Sequence, residues 1–304
     1  MSIYSKNGNQ LSNAYGLTDS LNNAYDVNGE IVFSKGSGQP DYSDYSYIQK
    51  WASKGIGSTQ GFAIYDNKVF WVSKSGDSTV PANCYVFNLS DGSQALSSAY
   101  ISAYTGHGNS LSMAFPKLYA ATAYAGGKVH VSTFSNDFLT NTFDKTLALP
   151  DTSYGCDACI DEMDKDILWS IHHTAPITDL VTPWRIKKWN LLNLTDNGNG
   201  TYTPELLQNI ELNQPANSPY FQGCYFHDGI LWFANGYSGS ASGAYVFGVD
   251  PDTGEYLYSI NCETTAEPEG VAWYPDSDAV GGYAMYVGFQ GMMLRKYTFA
   301  QSTL

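Results

Sequence analysis

This sequence predicts an all-β fold: a five-bladed β-propeller with a short N-terminal β-rich attachment segment. Three observations carry that reading. One phrase recurs five times, a small-residue strand start, a tight turn and an apolar strand ending in aromatics. A third strand follows four of the copies, and Asp, Asn and Gly turn residues punctuate the segments throughout. A unit recurring every few tens of residues, with four short strands to a unit, is the sequence form of a propeller blade.

The copies read GFAIYDNKVFWV at 61–72, ATAYAGGKVHVS at 121–132, CIDEMDKDILWS at 159–170 and GCYFHDGILWF at 223–233. The fifth has a longer turn, GVAWYPDS at 270–277 through YAMYVG at 283–288. Third strands follow as CYVFNL at 84–89, WRIKKWN at 184–190, AYVFGV at 244–249 and MLRKYTF at 293–299. The turns SDG and DPDTG then predict outer strands near 94–100 and 255–260. The fifth unit is expected to borrow its outer strand from YSDYSYIQKW at 42–51, a segment outside every copy, so that an N-terminal strand closes the ring. Trp71, Trp169 and Trp232 hold one position in the second strand, where an indole fills the space between blades.

Ahead of the propeller, LSNAYG at 11–16 returns as LNNAYDVNG at 21–29. Each phrase is too small to bury a core alone and must pack on a partner or on copies of itself. Residues 1–38 therefore read as an attachment or assembly segment and 39–304 as the propeller, with linker chemistry in GSGQP at 36–40.

Composition narrows the partners. Asp, Glu, Lys and Arg make up only 14% of the chain, whereas Tyr supplies 24 residues and Gly 29. Such a surface forms hydrogen bonds without carrying charge, a makeup common on sugar-contacting and extracellular proteins. A formal charge of −14 disfavours nucleic acid and anionic membranes, since binding there needs clustered Lys and Arg. Residues 1–20 hold no apolar run of signal-peptide length, and no stretch approaches the roughly 20 apolar residues of a membrane span. Five Cys is an odd number, so no complete disulfide framework is expected and synthesis in a reducing compartment is.

Several short patterns imitate catalytic or metal motifs. Gly76, Asp77 and Ser78 match the nucleophile phrase of one esterase class, but no Asp-x-x-His partner follows near the C-terminus, and a hairpin turn explains them. Cys156 and Cys159 have half a zinc spacing without a second pair, and Cys84, Cys224 and Cys262 are scattered singly. His172 and His173 point to opposite faces of a strand and cannot share one metal. The segments 196–201 and 250–255 resemble calcium loops but lack the closing Glu, so they read as turns. No cofactor and no metal are expected.

The residues just ahead of each innermost strand carry more. They are Gln60, His107, Asn109, Asp157, Tyr220, Gln222, Glu267 and Glu269. Amide, carboxylate and imidazole groups converging on one opening make a concave polar site for hydroxyl-rich ligands. The competing reading is that they bond only one another and internal water.

These residues also carry a resemblance. QGFAIY at 60–65, HGNSL at 107–111, QG at 222–223 and EGVA at 269–272 resemble the propeller of phage receptor-binding proteins of the staphylococcal P68 type and of TagC-like teichoic-acid-associated proteins. NAYDVNG at 23–29 is similar to the leader of tail-associated proteins in phages and prophages of gut bacteria. The resemblance spans about residues 44–300 and 1–35, and Gln60, His107, Asn109, Gln222 and Glu269 are the positions that match. It implies a five-bladed head at a tail-fibre tip, a non-enzymatic receptor-binding module for bacterial surface carbohydrate such as teichoic acid. A virion tail location, other tail proteins as partners and a homotrimer built through the N-terminal segment follow from it. The third unit departs from the pattern at 175–182 and 193–204, where this chain's own contacts are expected. Two alternatives stay open: a glycan-cleaving hydrolase or lyase using Asp157, Glu267 or Glu269, and a structural baseplate component.

Overall fold

Strands supply almost all the regular structure of the computed structural model. It describes residues 3–4, 10–11, 23–25, 31–34, 40–57, 59–73, 81–122, 127–150, 156–172, 183–212, 221–237 and 243–302, the first four stretches as backbone alone. The fold is all-β. The chain divides into two compact units, one of Met1–Ser46, Pro275–Ala284 and Thr298–Leu304, the other of Tyr47–Tyr274 and Met285–Tyr297.

The first unit contains β1 (Ile3–Tyr4), β2 (Gln10–Leu11), β3 (Asn23–Tyr25) and β4 (Ile31–Ser34), in the sheet order β2-β1-β3-β4. Ile3 pairs with Leu11 and Tyr4 with Tyr25, so β1 lies between β2 and β3. In the same unit Tyr42 meets the ring of Phe299 edge-on at 5.1 Å, and the Ser46 and Thr298 hydroxyls lie 3.3 Å apart.

The second unit is built from antiparallel meanders. The first joins β6 (Thr59–Tyr65), β7 (Lys68–Ser73), β8 (Ala82–Asn88) and β9 (Ile101–Ala103) in chain order. An eight-stranded sheet follows. Its two meanders are β10 (Ser110–Ala114), β11 (Lys117–Thr122), β12 (Lys128–Phe134) and β13 (Asn141–Ala148), then β14 (Cys156–Ile160), β15 (Ile167–His172), β16 (Arg185–Asp196) and β17 (Thr201–Glu211). They join where β13 pairs with β17 in parallel, Thr146 opposite Thr201 and Leu147 opposite Tyr202. Next come β18 (Phe221–His227), β19 (Ile230–Asn235), β20 (Tyr245–Val249) and β21 (Tyr256–Asn261). One more sheet runs β22 (Pro268–Pro275), β23 (Tyr283–Phe289), β24 (Met293–Gln301) and β5 (Pro40–Trp51), and its residues 40–46, 275, 283–284 and 298–301 are counted in the first unit.

Turn chemistry places the hairpins. Asp66 and Asn67 take φ of 49° and 54° between β6 and β7, and Asp228 and Gly229 take 52° and 76° between β18 and β19. Two consecutive positive φ values are the type I′ geometry that suits the twist of a two-residue hairpin. The second copy of the repeated phrase sits differently. Residues 121–132 span the end of β11 and most of β12, one strand later than in the other sheets. The true first strand there, β10, is Ser-rich and turns at Phe115 and Pro116, without the Asp, Asn and Gly residues that turn the β6–β7 and β18–β19 hairpins. The outer strand expected near 94–100 is likewise displaced. Only a bridge from Phe87 to Gln94 forms there, and β9 follows the exposed stretch 97–100.

The core lies between successive sheets. Trp71, Trp169 and Trp232 are all buried, as their shared position predicts. Trp169 of β15 stacks on Phe226 of β18 at 5.3 Å, and Trp232 of β19 meets Trp273 of β22 at the same separation. Rings of this size each remove on the order of 150–250 Å² from water, so they set the spacing of the sheets. Cys84, Cys159, Cys224 and Cys262 are buried free thiols packed as small apolar residues, and burial pushes the Cys84 and Cys262 thiols up to about 12.

Candidate functional site

The first strands of the sheets approach one another so closely that glycine is required. Gly61 of β6 donates its N–H to Gly108 O at 2.9 Å. A Cβ there would stand 2.8 Å from both the Gly108 and Asn109 carbonyl oxygens. Gly223 of β18, at φ 85°, would place one 2.9 Å from Gly270 Cα of β22. Side chains complete the contacts. On β10, Ser110 Oγ accepts the Ala158 N–H at 2.7 Å and Ser112 Oγ accepts the Ile160 N–H at 3.0 Å, tying β10 to β14. Contacts thus run from β6 to β10, to β14, to β18, to β22 and back to β6.

The polar residues singled out in the sequence lie along this circuit. Asn109 Nδ2 donates to Asp157 Oδ1 at 2.6 Å and to Phe221 O at 3.1 Å, joining three first strands through one amide. Gln222 Nε2 donates to Glu267 Oε1 at 2.8 Å. Thr59 Oγ1 accepts from Gly291 N–H at 2.9 Å and donates to Glu269 Oε1 at 3.4 Å. Gln60 Nε2 donates to Thr59 O at 2.7 Å, whereas Gln60 Oε1 has no partner among the described residues. His107, Asn109, Asp157, Gln222 and Glu269 are buried; Gln60 and Glu267 are half-buried. Tyr220 lies outside the described residues, as do the 76–78 phrase, His173 and the 175–182 segment.

Burial governs the ionisation of this cluster. Asp157 is 2% exposed, and desolvation pushes its carboxyl up to about 6 against the pull of the Asn109 and Gly223 N–H groups. Glu269, also 2% exposed, is held well above the ordinary carboxylate range, first by burial and then by the charge of neighbouring Glu267. The Thr59 hydrogen bond opposes that shift. Burial thus favours the protonated form of Glu269, while the more exposed Glu267 receives the Gln222 amide.

Thr59, Ser110 and Ser112 escaped the sequence reading. Their only signal there is a small hydroxyl residue at a strand start. A second tie, at the hairpin ends of β14 and β18, also went unmarked: Glu162 accepts from His227 Nδ1 at 2.8 Å and from the Asp228 N–H at 2.9 Å. The His227 ring stacks on Trp273 at 4.4 Å. His172 is fully buried. The 196–201 and 250–255 segments are the turns between β16 and β17 and between β20 and β21. Among the described residues no group of three or more His, Cys, Asp and Glu side chains is placed to hold a metal ion, and no helix is long and apolar enough to cross a membrane.

No protein-family model and no curated protein matches the chain. Solved structures do. The tail fibre of Staphylococcus aureus phage P68 is similar at 14% identity and a TM-score of 0.47, over 86% of this chain and 53% of that one. A DUF4623 family protein from Bacteroides eggerthii is similar at 9% identity and a TM-score of 0.48, over 88% and 77%. The periplasmic gluconolactonase of Pseudomonas aeruginosa is similar at 16% identity and a TM-score of 0.42, over 84% and 92%. The chain spans about half the length of the phage tail fibre it matches.

Proposed function

We propose that this chain is a five-bladed β-propeller whose first strands surround a polar mouth, and that it serves as the non-enzymatic receptor-binding module of a phage or prophage tail fibre. The observation that carries the reading is the balance of donors and acceptors at that mouth. The amide nitrogens of Gln60, Asn109 and Gln222 are all turned onto protein oxygens. Gln60 Oε1, shielded from solvent, has no partner among the described residues, and half-buried Glu267 adds a carboxylate to the cluster. A ligand rich in hydroxyl or ammonium donors complements such a site, and a bare phosphodiester does not. The resemblance of the 60–65, 107–111 and 269–272 motifs to phage receptor-binding propellers supports a bacterial surface glycopolymer, with contact through its sugar or amine substituents. Residues 1–38 would serve attachment to other tail proteins and trimer assembly, and several heads engaging together would raise weak sugar affinity through avidity. A pulldown with purified cell walls tests this: the chain is retained and is eluted by free glycopolymer. Failure to bind across a panel of cell-wall and capsular glycans would remove the proposal.

A second reading has its own observation. Glu269, its carboxyl raised by burial and by the charge of Glu267, and Glu267, more exposed and accepting the Gln222 amide, are two carboxyl groups in unlike surroundings, as an acid and base in glycoside cleavage are. Its weakness is that Glu269 is 2% exposed. Incubation with host polysaccharide distinguishes the two: new reducing ends favour cleavage, and intact polymer favours adhesion. A structural baseplate role predicts instead that substituting Gln222 and Glu269 leaves host adsorption unchanged.

A further inference from the structure

Two Asn-Gly pairs follow one another at the tip of the β16–β17 hairpin, and the fold holds them differently. In such a pair the glycine nitrogen can reach the Asn side chain, because no Cβ stands in its way. The nitrogen bonds to Cγ, ammonia leaves, and a five-membered succinimide forms. Water then opens the ring to aspartate or to isoaspartate, in which the main chain runs through the side-chain methylene. The step requires both the side chain and the following amide to be released from other bonds.

At the first pair both are engaged. Asn197 Nδ2 donates to Thr203 Oγ1 at 2.8 Å, and the Gly198 N–H donates to Asp196 Oδ1 at 2.7 Å. The Asn197 N–H is also fixed, to Thr201 O at 2.9 Å. At the second pair neither the Asn199 side chain nor the Gly200 N–H has a partner among the described residues, and both residues are exposed. A Cβ on Gly200 would meet nothing within 4 Å, so the approach is open. Asn235–Gly236, the remaining described pair, has its Asn 1% exposed on β19.

We propose that Asn199 is a spontaneous deamidation site and that its conversion to isoaspartate loosens the seam between β13 and β17. Gly200 O accepts the Thr146 N–H at 2.9 Å, at the first step of the parallel pairing. The isoaspartyl linkage adds a methylene to the main chain one peptide before that carbonyl. It also adds a carboxylate close to Asp196.

The folded full-length chain, incubated at mildly alkaline pH and mapped by peptide mass spectrometry, tests this. Asn199 is expected to convert faster than Asn197 by about tenfold or more, because each bond that must break at the first pair is worth roughly 1 kcal/mol or more. In the denatured chain the two convert at similar rates. Thr203→Val, which frees the Asn197 amide, raises conversion at Asn197 and leaves Asn199 unchanged. Equal rates at the two positions in the folded chain, or no conversion at Asn199 while the denatured chain reacts, would overturn the site. In the converted fraction the Thr146 amide exchanges hydrogen faster; unaltered protection there would overturn the effect on the seam.

Discussion

Asn109 and Asp157, 48 positions apart in sequence, are joined by a 2.6 Å hydrogen bond between two buried side chains. The same Asn109 amide reaches Phe221 O, so one side chain fastens three first strands together. Replacing Asn109 with Ala takes one donor from buried Asp157, which keeps the Gly223 N–H, and removes the side-chain donor to Phe221 O. A hydrogen bond lost at a buried acceptor costs about 1–3 kcal/mol, and chemical denaturation is expected to show a loss in that range. A change below about 0.5 kcal/mol, the scatter of surface substitutions, would remove Asn109 from the account of stability.

Acid strengthens this neighbourhood. The Asp157 carboxyl titrates near 6 in the folded chain, against about 4 for an ordinary carboxylate in an unfolded one. A folded value above the unfolded one means that the contribution is fully present below about pH 4 and is lost as pH rises through about 6. Glu269 acts with the same sign. Thermal unfolding between pH 4 and 7 is expected to show this decline, and Asp157→Asn to flatten it. An unaltered pH profile in that variant would show that Asp157 does not carry the effect.

Gly61→Ala introduces a Cβ 2.8 Å from two backbone oxygens that cannot swing aside. Overpacking of this kind costs about 1–3 kcal/mol. Gly229→Ala provides the comparison: its Cβ meets nothing within 4 Å, although φ is 76°. Denaturant midpoints should rank Gly61→Ala below Gly229→Ala if close approach, and not backbone conformation, dominates at position 61.

His227→Ala removes both the bond to Glu162 and the stack on Trp273. Together these amount to about 2–4 kcal/mol. His227→Gln retains a donor for Glu162 without the ring and should recover part of the loss in the same unfolding assay.

Much of this architecture is legible in the residues. Asp66, Asn67, Asp228 and Gly229 announce their hairpins, because few other residues accept positive φ in succession. The aromatic strand ends announced the buried Trp71, Trp169 and Trp232. β10 was hidden because Ser110 and Ser112 look like loop residues, and their hydroxyls find partners only once β14 stands beside them. The candidate site was legible as a neighbourhood and not as a network. Nothing near Asn109 in sequence says that its amide will be spent on Asp157, since that pairing depends on which strands become neighbours. Nor could composition say that Glu269 would be buried while Glu267, two residues earlier, stays half-buried.

The claim that the polar mouth binds a glycopolymer turns on Gln60 and Glu267, the half-buried members of the cluster. Calorimetric titration of purified cell-wall glycopolymer into the chain, and into its Gln60→Ala, Glu267→Gln double variant, tests it most directly. The account predicts binding by the chain and a loss of about tenfold or more in the variant, from two hydrogen bonds of roughly 1 kcal/mol each, measured at a temperature where both proteins are folded. Equal affinity in the two proteins would contradict it.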